Sequence, residues 1–506
     1  MSDLMSGLAK IIRHEWRMLR ADRTAWVVLV LFALIIEGAI FNVSATLREK
    51  QEAERQAIRD EAEKFRRFHA EAEEIEQQAA LRGQPPPQFQ AEAKYWDKPG
   101  PRDSIFVGAW NAPRIVPPPS PFTVFAVGQC DLFPSSYKVG IDGKMEWQSR
   151  GRVLQRLDNP LLLKAGRFDL EFVILYLYPM LILAISFNLM SGEKEGRTLG
   201  LLLAQPVSLR ALVIGKVACR ALLVFGCVSG LSLSGFLLSG TDFGGGAVRV
   251  SLWLVAVIVY GGFWFALAVV ANAIGRSSAA NALALAVAWL AFLFVIPSAI
   301  SFATTSAYSV PPRIEYLNAA RKIEDDVRRE RKALIAQYLK EHPELSRWGW
   351  TLDNLGVGYP HVPEAMPEKV EFLEMIRRLQ PVIARYEGPL AKQQALADRC
   401  RFLSPAVLMQ DVLYDLAGTG RARHEHFLRQ ANAFNEEWNI FFDVKPFRRE
   451  MVSAADYAVF PRFIYREESP GDVAGRTIVP LSALTLLPLA LGWLGLRAYR
   501  RFPLAG

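Results

Sequence analysis

Residues 191–210 read SGEKEGRTLGLLLAQPVSLR, an interval of charges, leucines and one proline set between two long apolar runs. The flanking runs are Phe172–Met190 and Ala221–Gly240, and four more have the same character: Ala25–Ala45, Val250–Ile274, Ala279–Ala303 and Thr477–Leu496. A hydrocarbon core about 30 Å thick takes about 20 helical residues to cross, so each run is long enough to span it. Runs of this length without alternation predict helices rather than the strands of a membrane barrel. The expected fold class is therefore mainly α: a polytopic membrane protein with six transmembrane helices. Only the first run carries an ionisable residue, Glu37.

Basic residues near span ends are retained in the cytoplasm, which gives the orientation. Lys10, Arg13, Arg17, Arg20 and Arg23 precede the first span; Lys194, Arg197, Arg210, Lys216 and Arg220 follow the second; Arg276 follows the fourth, and Arg497, Arg500 and Arg501 the sixth. All fall on one side, so both termini are expected in the cytoplasm. The layout is an interfacial helix at 1–24, span 1 at 25–45, an extracytoplasmic insertion at 46–171, span 2 at 172–190 and a cytoplasmic element at 191–211. Span 3 at 212–240, span 4 at 250–274, span 5 at 279–303, a second extracytoplasmic insertion at 304–476, span 6 at 477–496 and a cytoplasmic tail at 497–506 complete it. The net charge of +8 is partly this topogenic excess, so no nucleic-acid partner is expected. A signal peptide ending at Val43-Ser44-Ala45 is the competing reading of the first run, but the run is long for such a segment and its removal would leave five spans.

Both insertions read as mostly helical. Leu47–Leu81 has no Gly or Pro and is dense in helix formers, so it is expected to prolong span 1 as a stalk with an apolar seam through Ile58, Ala62, Phe65, Ala72, Ile75 and Ala79. Short alternating runs such as Phe122–Val127 are candidate strands. The second insertion opens with a charged helix, Arg313–Lys340, expected to pair with the stalk, and continues through helices at Ala365–Ala397, Pro405–Leu416 and Arg421–Asn439 around an aromatic loop holding Trp348, Trp350 and Tyr359. Cys130 and Cys400 lie one in each insertion, a candidate disulfide in an oxidising compartment; two unpaired thiols is the alternative. His424 and His426, two apart on a helix, point in different directions and make a poor metal pair, so no metal site is expected.

Within 191–211, Thr198 is placed to cap a short helix at Leu199–Gln205, and Pro206 forbids its continuation. Leu199, Leu202 and Leu203 then share a face that lies down in the membrane interface, leaving Glu193, Lys194, Glu195 and Arg197 toward the cytoplasm. Ser208 can cap the next helix, on which Lys216 and Arg220 stand four apart and able to snorkel.

The succession Glu193-Lys194-Glu195, Thr198-Leu199, Leu202-Leu203, Pro206-Val207-Ser208 and Gly215-Lys216 resembles the E-x-E, T-L, L-L, P-V-S, G-K pattern of type-2 ABC transporter permeases. Ile12-Arg13-His14-Glu15-Trp16-Arg17 resembles that family's interfacial elbow helix. The family usually has Gly directly before the Thr, where this chain has Arg197, and its loops are usually short. The two large insertions, with Leu403-Ser404-Pro405, Asp415-Leu416-Ala417-Gly418-Thr419-Gly420 and Arg423-His424, look like those of a permease subgroup.

The resemblance implies an exporter-like permease subunit of the inner (cytoplasmic) membrane, in which Glu193–Arg210 docks on an ABC ATPase. The ATPase-coupling residues it marks are Glu193, Lys194, Glu195, Arg197, Thr198, Leu199, Leu202, Leu203, Pro206 and Arg210. No Gly-x4-Gly-Lys-Ser/Thr occurs, so the chain is expected to be no enzyme and to hold no cofactor of its own, with ATP and Mg on a separate ATPase subunit. A second permease subunit, identical or similar, is also implied, and Gly226–Gly230 has a spacing that permits close helix contact. Two alternatives stay open: a membrane subunit that transmits motion to an extracytoplasmic partner protein without moving solute, and a membrane-anchored enzyme or receptor. Glu37 is either part of a translocation path or hydrogen-bonded to a neighbour such as Asn188, Asn272 or Asn281. Pro179, Pro297, Pro480 and Pro488 are expected to kink spans 2, 5 and 6.

Overall fold

A computed structural model of the chain describes residues 2–83, 100–104, 106–128, 130, 133, 136–140, 168–204, 208–238, 243–274, 277–348, 365–443, 445 and 450–501. Among these, six helices are long and apolar enough to cross a membrane. The chain is a multi-pass membrane protein, mainly helical.

The N-terminal helix α1 (Ser2–Ala21) runs into α2 (Arg23–Leu81) through Asp22, whose carboxylate accepts from the amides of Thr24 and Ala25 at 3.0 and 3.3 Å. That cap restarts the helix and fixes the angle between elbow and span. Helix α2 is unbroken for 59 residues, about 88 Å at 1.5 Å per residue, so span 1 and the expected stalk are one rod. Two residues of β1 (Arg114–Ile115) pair antiparallel with β2 (Tyr137–Lys138), Ile115 opposite Tyr137. Span 2 is α3 (Leu170–Phe172), a π-helical turn (Val173–Leu177) and α4 (Tyr178–Ser186). The short helices α5 (Ser191–Glu195) and α6 (Leu199–Leu203) lead to α7 (Leu209–Leu238) and α8 (Phe243–Ala273), spans 3 and 4. Span 5 is α9 (Ser278–Leu290), a π turn (Ala291–Val295) and α10 (Ile296–Ala307). Then come α11 (Arg313–Glu341), α12 (Ala365–Cys400), α13 (Pro405–Ala417), α14 (Arg421–Asp443), α15 (Ala454–Val459) and span 6, α16 (Pro470–Ala498).

Helix α8 is the centre of the bundle, packed most extensively on α16 and also on α4, α7 and α13, with Tyr260, Phe263 and Trp264 buried. The outer faces of spans 5 and 6 leave Leu283, Phe302, Leu486 and Trp493 exposed, as apolar residues facing lipid are. The two π turns each precede a proline that lacks an N–H to give to the turn behind it. Side chains supply the missing donors: Tyr260 Oη donates to Leu175 O at 3.1 Å, Trp289 Nε1 to Tyr176 O at 3.2 Å and Ser404 Oγ to Phe292 O at 2.6 Å. Pro179 and Pro297 thus cause a local change of helix type with neighbours bonded into it, whereas Pro480 and Pro488 sit inside a continuous α16.

Several expectations are corrected. The charged helix α11 pairs with α12 rather than with the stalk, through Arg331 to Glu371 at 2.7 Å and Arg378 to Glu330 at 2.6 Å. The stalk instead carries Phe65, Phe68 and Ala72 into an aromatic core with Trp438 and Phe442 of α14 and Tyr457 and Phe460 of α15. Its expected seam is only partly used, since Ile58 is 55% exposed. Phe122–Val127 is no strand: it is a turn buried in the bundle, where Phe125 stacks on Phe236, because these apolar side chains fill space between spans 3 and 4. Helix α13 belongs to that same bundle core, packed on α8 and α16. Gly226 and Gly230 lie on an exposed face of α7, with open space where a Cβ would stand at either. Trp350 and Tyr359 lie outside the described residues.

Candidate coupling site

Helix α1 lays its inner face along α7, and Ile11 and Glu15, one turn apart, point inward together. Glu15 and Lys216 of α7 are both buried, each with a side chain 5% exposed, and meet at 3.0 Å. Lys216 Nζ also donates to Glu193 Oε1 of α5 at 2.7 Å. Arg220 comes within 3.8 Å of Glu15 and donates its other nitrogen to Ile185 O at the end of α4. Two carboxylates and two cations therefore form a neutral, largely dry cluster joining the elbow, span 2, α5 and span 3. Buried charges survive only in such paired, hydrogen-bonded sets. Lys216 and Arg220 share a face as the sequence indicates, but they are not snorkelling into water; acidic partners hold them inside.

A second set of bonds ties the same element to spans 4 and 5. The Glu195 carboxylate accepts from the backbone N–H and Oγ of Ser278, at 2.7 and 2.9 Å, in the first turn of α9. A carboxylate there also complements the positive end of the helix. Ser191 and Ser278 hydroxyls are 2.8 Å apart, and Asn281 Nδ2 donates to Ser191 Oγ at 3.3 Å. Asn272, near the end of α8, accepts from Met190 N at 3.2 Å and donates to Ser186 O at 3.1 Å. These side chains satisfy backbone groups freed by the turn between α4 and α5.

Glu193 is therefore turned inward onto Lys216, where the sequence pattern had it toward the cytoplasm, whereas Glu195 stays exposed while bonded to Ser278. Thr198 does not cap α6 with its side chain; its hydroxyl turns back to Glu193. Leu199 is buried and Leu202 partly buried among Ile11, Met190, Leu212 and Tyr499, so this leucine face packs on protein rather than on lipid. Leu203 ends α6, and Pro206 lies outside the described residues. Ser208 caps α7 as expected, with Ala211 N at 3.2 Å from its hydroxyl, and Arg210 already belongs to that helix. Arg197 has φ +54°, the left-handed conformation that favours glycine, and is the non-glycine residue with positive φ among the described residues. Outward on the element stand Lys194, half-buried, and Glu195, Gly196, Arg197, Thr198, Gly200 and Leu201, exposed, Leu201 by 74%.

Glu37 lies apart, hydrogen-bonded to Ser234 Oγ of span 3 at 2.8 Å. None of the three asparagines serves it; Asn272 and Asn281 are engaged at the coupling element. Glu15, Asn272, Ser278 and Asn281 were missed from the sequence as site residues. Their signal is present: Glu15 is an acid inside a basic run, and polar residues at the ends of apolar spans need partners.

The family described as ABC-2 family transporter protein matches residues 161–298, which hold spans 2 to 4, most of span 5 and both α5 and α6. A domain of unknown function, DUF3526, matches residues 313–466, from α11 to just short of α16. The chain carries an ABC-2 family transporter membrane domain joined to a DUF3526 domain. No curated protein and no solved structure matches it. The ABC-2 domain is of a family typically without catalytic activity of its own, and such permeases generally pair with ABC ATPases.

Proposed function

We propose that the protein is the permease subunit of an exporter-type ABC transporter in the inner (cytoplasmic) membrane, driven by a separate ATPase that holds the ATP and Mg. Both termini and α5–α6 face the cytoplasm in this reading, and the two insertions face outward. The observation that carries it is the contrast within α5–α6. Its inner side is bonded to the elbow and to spans 2 to 5, while its outer side presents Arg197, Gly200 and an apolar Leu201 to solvent. A partner gripping that tip moves five elements at once, which is what a force-receiving joint requires. A second permease, identical or similar, completes the unit.

The docking residues are then Arg197 and Leu201, with Lys194 beside them, while Glu193 fastens the joint to span 3 from within and Glu195 fastens it to span 5 at the surface. Reversing Glu193 would disrupt the buried cluster whether or not an ATPase binds. Arg197→Glu with Leu201→Asp tests docking without touching it. Copurification of an ABC ATPase with the wild-type chain, and its loss with a folded double variant, is the expected result; retention of the ATPase refutes the docking face.

A second reading, in which motion is passed to an extracytoplasmic partner protein without solute crossing, is supported by α8. This helix holds Asn272 at the coupling end and Arg249 at the other, roughly 35 Å away at 1.5 Å per residue. Arg249 approaches Glu467 to 3.9 Å, and Glu467 also pairs with Arg423 of α14 at 2.7 Å. Arg476 of α16 reaches Glu468 at 2.8 Å and Asp415 of α13 at 3.7 Å. One rigid strut thus links the coupling element to a clasp beneath the insertion domains. Transport assays in vesicles that retain ATPase stimulation distinguish the two readings.

A further inference from the structure

Residues 10–26 carry five cations, Lys10, Arg13, Arg17, Arg20 and Arg23, and two acids, Glu15 and Asp22. Both acids are engaged within the protein: Glu15 is buried against Lys216, and the Asp22 carboxylate is turned onto the first amides of α2. The five cations are all exposed, and none of their side chains has an ion pair or hydrogen bond among the described residues. Lys10, Arg13, Arg17 and Arg20 are spaced by three, four and three residues, so they form a single stripe along α1. The stripe lies opposite Ile11 and Glu15, whose face packs on α7.

The depth of the stripe follows from its neighbours. Ile11 packs with Met190, Leu212 and Tyr499 at the ends of spans 2, 3 and 6, and Glu15 meets Lys216 within the first three turns of α7. Helix α1 therefore lies along the rim of the bundle, level with the span ends. Directly after it, Val27, Val30, Leu31 and Leu34 of α2 are exposed apolar residues, the side that lipid tails cover. Trp16 and Trp26, one on each helix, are exposed at this transition, as aromatic side chains are at a membrane boundary. The cations stand on the water side of that boundary, at the level of the lipid phosphates.

We propose that the outer face of α1 binds anionic phospholipid headgroups, whose phosphates are held by Arg13, Arg17 and Arg20. Guanidinium groups suit this task because their paired N–H donors match two phosphate oxygens. Near an anionic surface each basic residue is worth about a fivefold gain in binding, so a stripe of four distinguishes an anionic bilayer from a zwitterionic one. A protein with an acidic face would also match the charge. The exposed Trp16 and Met18 flanking the stripe, and the lipid-facing residues of α2 that follow it, favour the membrane. Since Glu15 carries α1 into the coupling cluster, lipid bound on one face steadies the joint fastened to the other. The inference needs only that the chain spans a membrane, and stands whichever reading of the coupling element holds.

The full-length protein in nanodiscs is photolabelled with phosphatidylglycerol or phosphatidylcholine carrying a reactive group beside the phosphate, and adducts are mapped by peptide mass spectrometry. Adducts on residues 10–26 are expected to be at least about fivefold more abundant with phosphatidylglycerol. Arg13→Gln combined with Arg17→Gln and Arg20→Gln should remove most of that excess while adducts on the other spans, which report correct folding, stay unchanged. Lysine at the same three positions, which keeps the charge, should retain at least half of it. Glycerophosphoglycerol, the soluble headgroup, should not compete, and labelling should persist with the partner ATPase bound. Equal labelling by the two lipids in wild type overturns the proposal without recourse to any variant. So do an excess unchanged by glutamine or lost equally with lysine, competition by the soluble headgroup, which marks a site for free phosphate esters, and loss of labelling under the ATPase, which marks a protein contact.

Discussion

Replacing Lys216 with Met removes the cation at the centre of the coupling cluster. At separations of 3.0 and 2.7 Å from Glu15 and Glu193, each pair attracts by roughly 5–6 kcal/mol at an effective dielectric near 20. Most of that gross attraction offsets the desolvation of the ions, so it is not the expected loss. The loss comes from what the substitution strands: Glu15 at 5% and Glu193 at 18% side-chain exposure, with only Arg220 near, 3.8 Å from Glu15. Breaking a buried pair in this way costs about 3–5 kcal/mol. Reversible unfolding in mixed micelles, titrated with SDS fraction, measures it. Glu15→Gln combined with Lys216→Met removes a charge of each sign and should recover about 1–3 kcal/mol, the coupling expected of contacting residues. A Lys216→Met protein within about 0.5 kcal/mol of wild type, or strictly additive substitutions, would refute the buried-cluster account.

Arg197→Gly should stabilise the protein by about 1 kcal/mol in the same titration, because the left-handed strain it relieves, about 1–2 kcal/mol, exceeds the chain entropy that glycine adds to the unfolded state. Gly418→Ala should destabilise it by at least about 1–2 kcal/mol, from φ strain alone. The His424 and Asp411 contributions to stability should have opposite signs in acid. His424, held down near 4 by burial, takes up protons in the unfolded chain first, so its contribution is present above the ordinary histidine value and lost as pH falls toward 4. Asp411, pushed up to about 6 by burial against the pull of Arg401, ionises first in the unfolded chain, so stability falls as pH rises between its ordinary value and 6. Unfolding midpoints from pH 4 to 7 in His424→Gln and Asp411→Asn proteins should lose one slope each.

Local rules were enough for the spans, the 59-residue rod and the cap at Ser208, since hydropathy, helix propensity and capping act over a few residues. They failed where partners are distant in sequence. Phe122–Val127 has the alternation of a strand, yet no strand lies beside it and spans 3 and 4 claim its side chains instead. Thr198 has the position of an N-cap, but its backbone is helical rather than extended and its hydroxyl is turned back to donate to the Glu193 carboxylate, away from the amides of α6. Glu193 looked like a surface acid because nothing in residues 191–210 reveals Lys216 as its partner, and Glu195 is a surface acid whose bond to Ser278 is equally hidden there. Arg197 is the informative departure: the motif puts glycine there, and the backbone still takes the glycine conformation.

Cross-linking from Leu201→Cys gives the most direct test of the central claim, that the exposed tip of α6 meets a nucleotide-hydrolysing partner on the cytoplasmic side. In membranes holding the ABC ATPase, the account predicts a cross-link to that subunit whose yield changes between ATP-bound and nucleotide-free states. Labelling of Leu201→Cys by an impermeant thiol reagent from outside the cell, with no cross-link in either state, would contradict it.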